Sequence, residues 1–444
     1  MDALASFTLQ ILNGLASASS LFLVSVGLSL IFGVTRIVNF AHGSFFMLGI
    51  YVAYSAVGWL MPVLGGAGFW VGVVVAAVVV GLSGALVEIL LLRRIYRSPE
   101  LFQLLATFAL VLVIKDLALW TWGPEELLGP RAPGLEGAVM IWGRAFPTYD
   151  LFLLAMGPLV LMALTQLLKR TRWGLSVRAA TQDRDMVGAL GVNQAWLFTA
   201  VFALGTALAG FGGALQLPRE PASLELDLSI LGSAFVVVVV GGLGSLSGAF
   251  VAAVLVSVIK ATCIWLGIVT LFGIEFAFPK LTLVAEFLVM AAVLIWRPWG
   301  LFGRRQTASA HTTPEAPLLP PGRWQRLLSL VLILLLVALP VVDQAFPYAL
   351  VLSIDILIAV LFAASLHFIM GPGGLHSFGH AAYFGLGAYG AALLVTGLAV
   401  PMPLALVLAP LAATAGALLF GWFSVRLSGV YLAMLTLAFA QIVW

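Results

Sequence analysis

NFAHGSFFMLGIY (Asn39–Tyr51) and SFGHAAYFGLGAY (Ser377–Tyr389) are one phrase written twice. Aligning 32–51 with 370–389 at a constant offset of 338 gives seven identities in twenty positions. They fall at Gly33, Phe40, His42, Phe46, Leu48, Gly49 and Tyr51, which meet Gly371, Phe378, His380, Phe384, Leu386, Gly387 and Tyr389. Apolar sequences can match by chance, but an ionisable residue inside an apolar run is rare, and here it recurs in register. Further on, LATFAL (Leu105–Leu110) resembles MLTLAF (Met434–Phe439), with Arg94 and Arg426 before them. The chain reads as one bundle duplicated.

The material around these phrases is membrane material. Of 444 residues 62% are hydrophobic and 9% charged, with a mean hydropathy of +1.14. A water-soluble domain carries about 25% charge. Ala3–Thr35 and Ile37–Val87 contain no charged residue, nor does the stretch between Asp355 and Arg426. Such runs exceed the roughly 20 residues that cross a bilayer, and lipid forces them into helices because it offers no partner to an open backbone. The N-terminus MDALASF lacks the basic region of a cleaved signal, so the first apolar segment is expected to stay as a span. Cys263 is the only cysteine, which excludes an internal disulfide and a thiolate metal cluster. The net charge of +3 gives no ground for nucleic-acid binding.

The fold class is therefore an all-α polytopic membrane protein, with about 13 transmembrane segments in two parallel repeats. Val236–Phe250 (VVVVVGGLGSLSGAF) reads as the bend of a hairpin over 229–263, broken at Gly241-Gly242. It crosses twice or re-enters. Of the 21 Lys and Arg, fifteen collect on one side, in clusters such as Arg93–Arg97, Lys169–Arg184 and Arg297–Arg326. Arg131, Arg144, Arg219 and Lys280 lie on the other. The rich side should be cytoplasmic. Residues 303–326 (GRRQTASAHTTPEAPLLPPGRWQR) have linker composition. They separate a first membrane domain, 1–302, from the N-terminal part of a second, 327–444. The first copy starts outside and ends inside, so a second copy of like orientation needs one extra crossing, which 327–343 supplies. Two such halves would enclose a path at their seam. The second copy has no counterpart of 120–300 and reads as truncated or as a fragment.

His42 and His380 have two readings: residues of the path or gate between halves, or ties to a neighbouring helix. Each follows an inner-side turn closely, which suggests a helix start. Asn39 and Ser377, three residues earlier, look like N-caps. Leu167–Trp196 (LLKRTRWGLSVRAATQDRDMVGALGVNQAW) fits a short amphipathic helix, with Val177, Ala179 and Ala180 on one face and Arg178, Gln182 and Asp183 on others. It is long and patterned for an ordinary basic loop and suits docking of a cytoplasmic partner. Lys115-Asp116, Lys260, Glu286 and Asp355 are intramembrane or nearly so. The loop 121–149, rich in Trp, Pro and acids, meets an external partner or caps the bundle. No G-x-x-x-x-G-K-[ST], H-E-x-x-H or G-x-S-x-G element occurs, so no catalytic residues, metal site or cofactor are assigned, and ATP would be hydrolysed by another chain.

With these residues in view a family can be named. GLSLIFGVTRIVNFAHGSFFMLGIYVAY (Gly27–Tyr54), the loop from Arg172 to Asn193 and LIWRPWGLFGR (Leu294–Arg304) resemble the first membrane subunit of branched-chain amino acid ABC importers. Gly371–Tyr389 and Leu427–Trp444 resemble the second subunit. The resemblance implies a fusion of two permeases, the second cut short, in a bacterial inner membrane. It implies cytoplasmic ABC ATPase subunits, a periplasmic substrate-binding protein and a small amino-acid substrate. It also implies that Arg178, Ala179, Ala180, Asp183 and Gly191 form a coupling helix entering a groove on the ATPase. Many ABC importers begin this loop Glu-Ala-Ala; here Arg178 precedes Ala179-Ala180. A second coupling helix would lie beyond Trp444. Asn39, His42, Ser377 and His380 would line the path or gate. Urea and short-chain amide importers share these motifs. An ion-coupled secondary transporter is the rival from another class.

Overall fold

The computed structural model of the chain describes residues 2–96, 98–271, 274–303, 320, 322–342, 347–425, 427 and 429–443. Within the expected linker, 303–326, residues 304–319 and 321 lie outside the described residues, as does Arg426. The chain divides into two compact units, Met1–Arg304 and Arg305–Trp444. Among the described residues ten helices are long and apolar enough to cross a membrane, with shorter apolar helices at Leu226–Gly241, Val284–Trp296 and Tyr431–Val443.

The first unit is built on α1 (Asp2–Thr35). Its 34 residues make a rod of about 51 Å, longer than the roughly 30 Å apolar core of a bilayer. From Ala18 to Val34 most of its side chains are buried, so α1 is the axis of the unit rather than a lipid-facing helix. Then follow α2 (His42–Leu64), α3 (Gly66–Val87), a π-helical turn at Glu88–Leu92, α4 (Arg93–Ile95), α5 (Glu100–Trp122) and α6 (Thr148–Arg170). Next come α7 (Arg172–Gln182), α8 (Arg184–Ala189), α9 (Gln194–Ala214), α10 (Leu226–Gly241), α11 (Leu246–Leu266) and α12 (Thr282–Trp296). α1 packs against α6, α9, α10 and α11, while α9 also packs against α2 and α3.

Small residues make these crossings close, as membrane helices without a hydrophobic drive toward each other require. A Cβ on Gly27 would lie 2.3 Å from the Gly205 carbonyl oxygen, and one on Gly49 equally near that of Gly210. Away from the crossings, α3 and α5 turn Val74, Val78, Leu82, Phe102 and Leu105 outward, a surface suited to lipid.

α2 starts deep. After Arg36, held at φ +58°, the chain turns back, and His42 opens α2 beside Val24 of α1. Val24 lies about 16 Å up the helix from Thr35. α10 starts at the same depth, because the carbonyl of Asp227 abuts Gly43. Its 16 residues span only about 24 Å, less than a full crossing. The expected break falls where it was read. α10 ends at Gly241, Gly242 (φ +99°) and Gly244 (φ +82°) turn the chain, and Ser245 caps α11 through the Gly248 N–H at 3.1 Å. α11, at 21 residues, is long enough to cross. Leu301 and Phe302 close this end by donating their N–H groups to Val240 and Gly241.

Two antiparallel hairpins are the strands among the described residues: β1 (Ala138–Ile141) with β2 (Arg144–Pro147), and β3 (Ile268–Leu271) with β4 (Ile274–Ala277). The sequence reading gave no strand. Trp142 and Gly143, both at positive φ, make the tight turn that a two-residue hairpin needs. The loop 121–149 caps the bundle: Leu127 and Ala222 exchange backbone hydrogen bonds of 3.0 and 2.9 Å.

The second unit contains α13 (Arg323–Val342), α14 (Pro347–Met370), α15 (His380–Leu398), α16 (Met402–Ser424) and α17 (Gly429–Val443). Its internal order repeats that of α1, α2, α3 and α5. A long helix leads through an irregular segment to a helix opening on a histidine, which packs on the next helix as α2 packs on α3.

Candidate functional site

The two histidines sit at equivalent places and use the same ring nitrogen. His42 is fully buried, and its Nε2 lies 2.9 Å from the Val24 carbonyl oxygen, which can only accept. His380 Nε2 lies 2.7 Å from Ser365 Oγ. That hydroxyl already donates to the Phe362 carbonyl, so it accepts from His380. Both imidazoles therefore carry the proton on Nε2, and both Nδ1 atoms are buried acceptors with no partner among the described residues. Ser365 occupies the position equivalent to Gly27, whose added Cβ would meet His42 Cε1 at 3.1 Å. The first copy reaches past a glycine to main chain, and the second stops at a hydroxyl.

The expected N-caps are corrected. Ala41 and Gly379 hold the cap positions of α2 and α15, and neither helix has a side-chain cap. Asn39 is too far back; its Oδ1 accepts from the Ala41 N–H at 3.1 Å and shapes the turn before the helix. Ser377 is buried beside the same turn in the second unit. Sequence reasoning missed a pair that meets these turns. Thr107 Oγ1 of α5, whose proton goes to the Leu104 carbonyl at 2.9 Å, lies 3.5 Å from the Val38 carbonyl, and Thr436 of α17 accepts from the Phe378 N–H at 3.0 Å. Their common place in LATFAL and MLTLAF was the available signal.

Two buried carboxylates of the first unit, Glu286 and Glu88, are paired with cations, while Asp227 Oδ2 is buried without a hydrogen-bond partner among the described residues. Lys260 of α11 and Glu286 of α12 pair at 2.6 Å, and Ser233 of α10 donates to the same carboxylate at 2.9 Å, tying three helices. Glu88, in the π-helical turn, was not singled out from sequence. It is fully buried, pairs with Arg93 at 3.2 Å and accepts from Tyr96 and Thr199. Lys115 and Asp116 lie inside α5, in its C-terminal third. Asp355 is exposed on α14. Among the described residues no cluster of His, Cys, Asp or Glu could hold a metal.

The basic loop forms α7 and α8. Thr171 caps α7 through the Gly174 N–H at 3.0 Å. Asp183 caps α8, accepting from the Asp185 and Met186 N–H groups at 3.0 Å. Val177, Ala180 and Val187 are buried with Leu30, Val34 and Phe198, so Ala180 faces the bundle. Arg178 and Asp183 are exposed, and Ala179 is half-buried. Gly191 sits at φ +87° with open space around it, so its role is to turn the chain. The outward surface carries Leu175, Met186, Leu190 and Trp196, exposed by 58–76%.

A multi-pass bundle with deep helix starts and an anchored amphipathic loop is the architecture of a membrane permease. Comparison with known proteins makes it specific. The chain belongs to the family described as "Branched-chain amino acid transport system / permease component", which matches residues 10–296 and 348–444. It is 26% identical over 307 residues to the high-affinity branched-chain amino acid transport system permease protein BraD of Pseudomonas aeruginosa, covering 66% of this chain and 95% of that one. To LivH of Escherichia coli K12, with the same description, it is 26% identical over 313 residues, 67% of this chain and 96% of the relative. The probable branched-chain amino acid permease LivH of Methanocaldococcus jannaschii is 27% identical over 303 residues, 66% and 92% of the two chains. No solved structure matches the chain. The chain is thus a multi-pass inner-membrane permease component.

Proposed function

We propose that this permease carries branched-chain amino acids, the transport that its relatives' names state of them, and that it carries them inward, driven by separate ATPases at the basic, cytoplasmic end. A binding protein on the opposite side delivers the substrate. The chain joins two permease domains, 1–302 and 327–444, through 303–326. Asn39, His42, Ser377 and His380 mark the path or gate, where two imidazole acceptors and the Asn39 amide lie buried without partners. Lys260 and Glu286, which an ion-coupled carrier would use, are read as a structural tie because each charge is satisfied.

One observation carries the coupling role. α7 and α8 are anchored through Val177, Ala180 and Val187, yet present Leu175, Met186 and Leu190 to solvent beside Arg178. An apolar patch rimmed by charge on an anchored loop is the signature of a protein contact. Arg178, Ala179, Ala180, Asp183 and Gly191 shape that patch. Co-purification of the partner ATPase from the native host tests it. Met186→Glu with Leu190→Glu should abolish capture while the permease stays folded. Undiminished capture would refute the assignment.

A further inference from the structure

At the end opposite the basic loop lies a cavity of about 400 Å³ that the readings above do not use. It falls in the size range of small-molecule sites, roughly 300–1,000 Å³. Its walls come from the turn before β1, the start of α6 and the segment after α9. Tyr149 is fixed there, its hydroxyl donating to the Leu215 carbonyl at 2.6 Å. Arg219 Nε lies 3.1 Å from Asp150 Oδ1, and its Nη2 reaches Ser17 Oγ at 3.5 Å. A guanidinium has five N–H donors, so this one is held in place with donors to spare. Asp150 is largely buried and keeps acceptor capacity on its second oxygen. Arg131 and Glu136 stand exposed at the rim, and Leu135 adds apolar wall.

The charge pattern narrows the ligand. Two cations, Arg131 and Arg219, balance two anions, Asp150 and Glu136, around a partly apolar space. A surplus of either sign would select ions; here the Arg219–Asp150 pair keeps spare N–H donors and a spare carboxylate oxygen, and Arg131 and Glu136 add one charge of each sign at the rim, a set that suits a molecule carrying both charges. We propose that this cavity is a reception site for a zwitterionic α-amino acid with an apolar side chain. Its carboxylate meets the Arg219 guanidinium, its ammonium meets Asp150 or Glu136, and its side chain lies toward Leu135 and Tyr149. The ligand occupies this place before entering the bundle. The proposal rests on the amino-acid reading above and adds a location that reading does not supply.

Equilibrium binding of radiolabelled leucine to the full chain in nanodiscs, without ATPase or binding protein, tests the site. Leucine should bind saturably, and leucinamide and 4-methylpentanoate, each lacking one charge, should compete at least about tenfold more weakly, as loss of a charged hydrogen bond implies. Arg219→Gln and the rim variant Glu136→Gln should each weaken leucine by a similar factor; Glu136, being exposed, can be changed without unfolding the bundle. Equal affinity of Glu136→Gln, Arg219→Gln and the parent chain overturns the site. So does an absence of leucine binding to the parent chain while ATP-driven leucine uptake by the assembled system persists, which leaves the permease reading intact. Absence of uptake by that assembled system would instead remove the permease reading. Loss of binding-protein capture in the variants, with leucine binding unchanged, would make the cavity a docking foot and also overturn the proposal.

Discussion

Replacing Gly49 by alanine should damage the bundle, while the same change at Gly387, its counterpart in the repeat, should not. At Gly49 the new Cβ would meet the Gly210 carbonyl oxygen at 2.3 Å and the Gly210 Cα at 2.6 Å. Ordinary contact begins near 3.4 Å, so α2 and α9 must part by about 1 Å. α9 has little room to move. On its other sides a Cβ on Gly27 would strike Gly205, and one on Gly84 would strike Thr206 at 2.1 Å. Overpacking of this kind costs about 1–3 kcal/mol, and backbone against backbone places it in the upper half, about 2–3 kcal/mol. At about 2 °C per kcal/mol for a unit of this size, Gly49→Ala should lower the melting temperature by about 4–6 °C. Gly387 finds only Ala413 Cβ at 3.9 Å, so Gly387→Ala fits without strain. Gly58, in α2 itself, has nothing within 4 Å, and Gly58→Ala should be neutral or slightly stabilising through helix propensity. The assay is thermal unfolding of the detergent-purified chain, followed by size-exclusion fluorescence. Equal melting temperatures for Gly49→Ala and Gly387→Ala would refute the reasoning, since sequence identity alone treats the two positions alike.

Three further outcomes follow from the same contacts. Lys260→Met should cost about 3 kcal/mol by stranding Glu286, and adding Glu286→Leu should recover most of it, measured by chemical denaturation. His42→Ala, which empties a fully buried site, should cost about 2–4 kcal/mol, against at most about 1 kcal/mol for Ser365→Ala, which removes an exposed hydrogen bond to His380. Asp183→Ala should lose about 1 kcal/mol of capping and, by fraying α8, weaken ATPase capture, whereas Asp183→Asn should retain both.

The spans could be read from sequence because a bilayer imposes composition and length on every crossing. The repeat could be read because His42 and His380 are conspicuous in apolar surroundings. What those rings touch could not be read: one partner is the main-chain oxygen of Val24, which no side-chain pattern records. Asn39 and Ser377 had the right chemistry for caps, but φ and ψ put Ala41 and Gly379 in those positions. The amphipathic face of α7 followed from spacing, and Val177 and Ala180 are indeed buried. The depth at which α10 begins was hidden, since it depends on Gly43 meeting Asp227 across 184 positions of chain. Glu88 escaped notice because an acid beside Arg93 at a span end looks like interface decoration, and only the fold brings Thr199 to it.

The two imidazole anchors differ in how they can be lost. A peptide oxygen belongs to whatever amino acid occupies position 24, so no point change there can delete it. The hydroxyl at position 365 disappears with a single replacement by alanine. Mutation can thus loosen the later half by small heritable steps while the earlier half keeps its grip. A lineage that loosens the imidazole tie through its acceptor would find the first such step at Ser365.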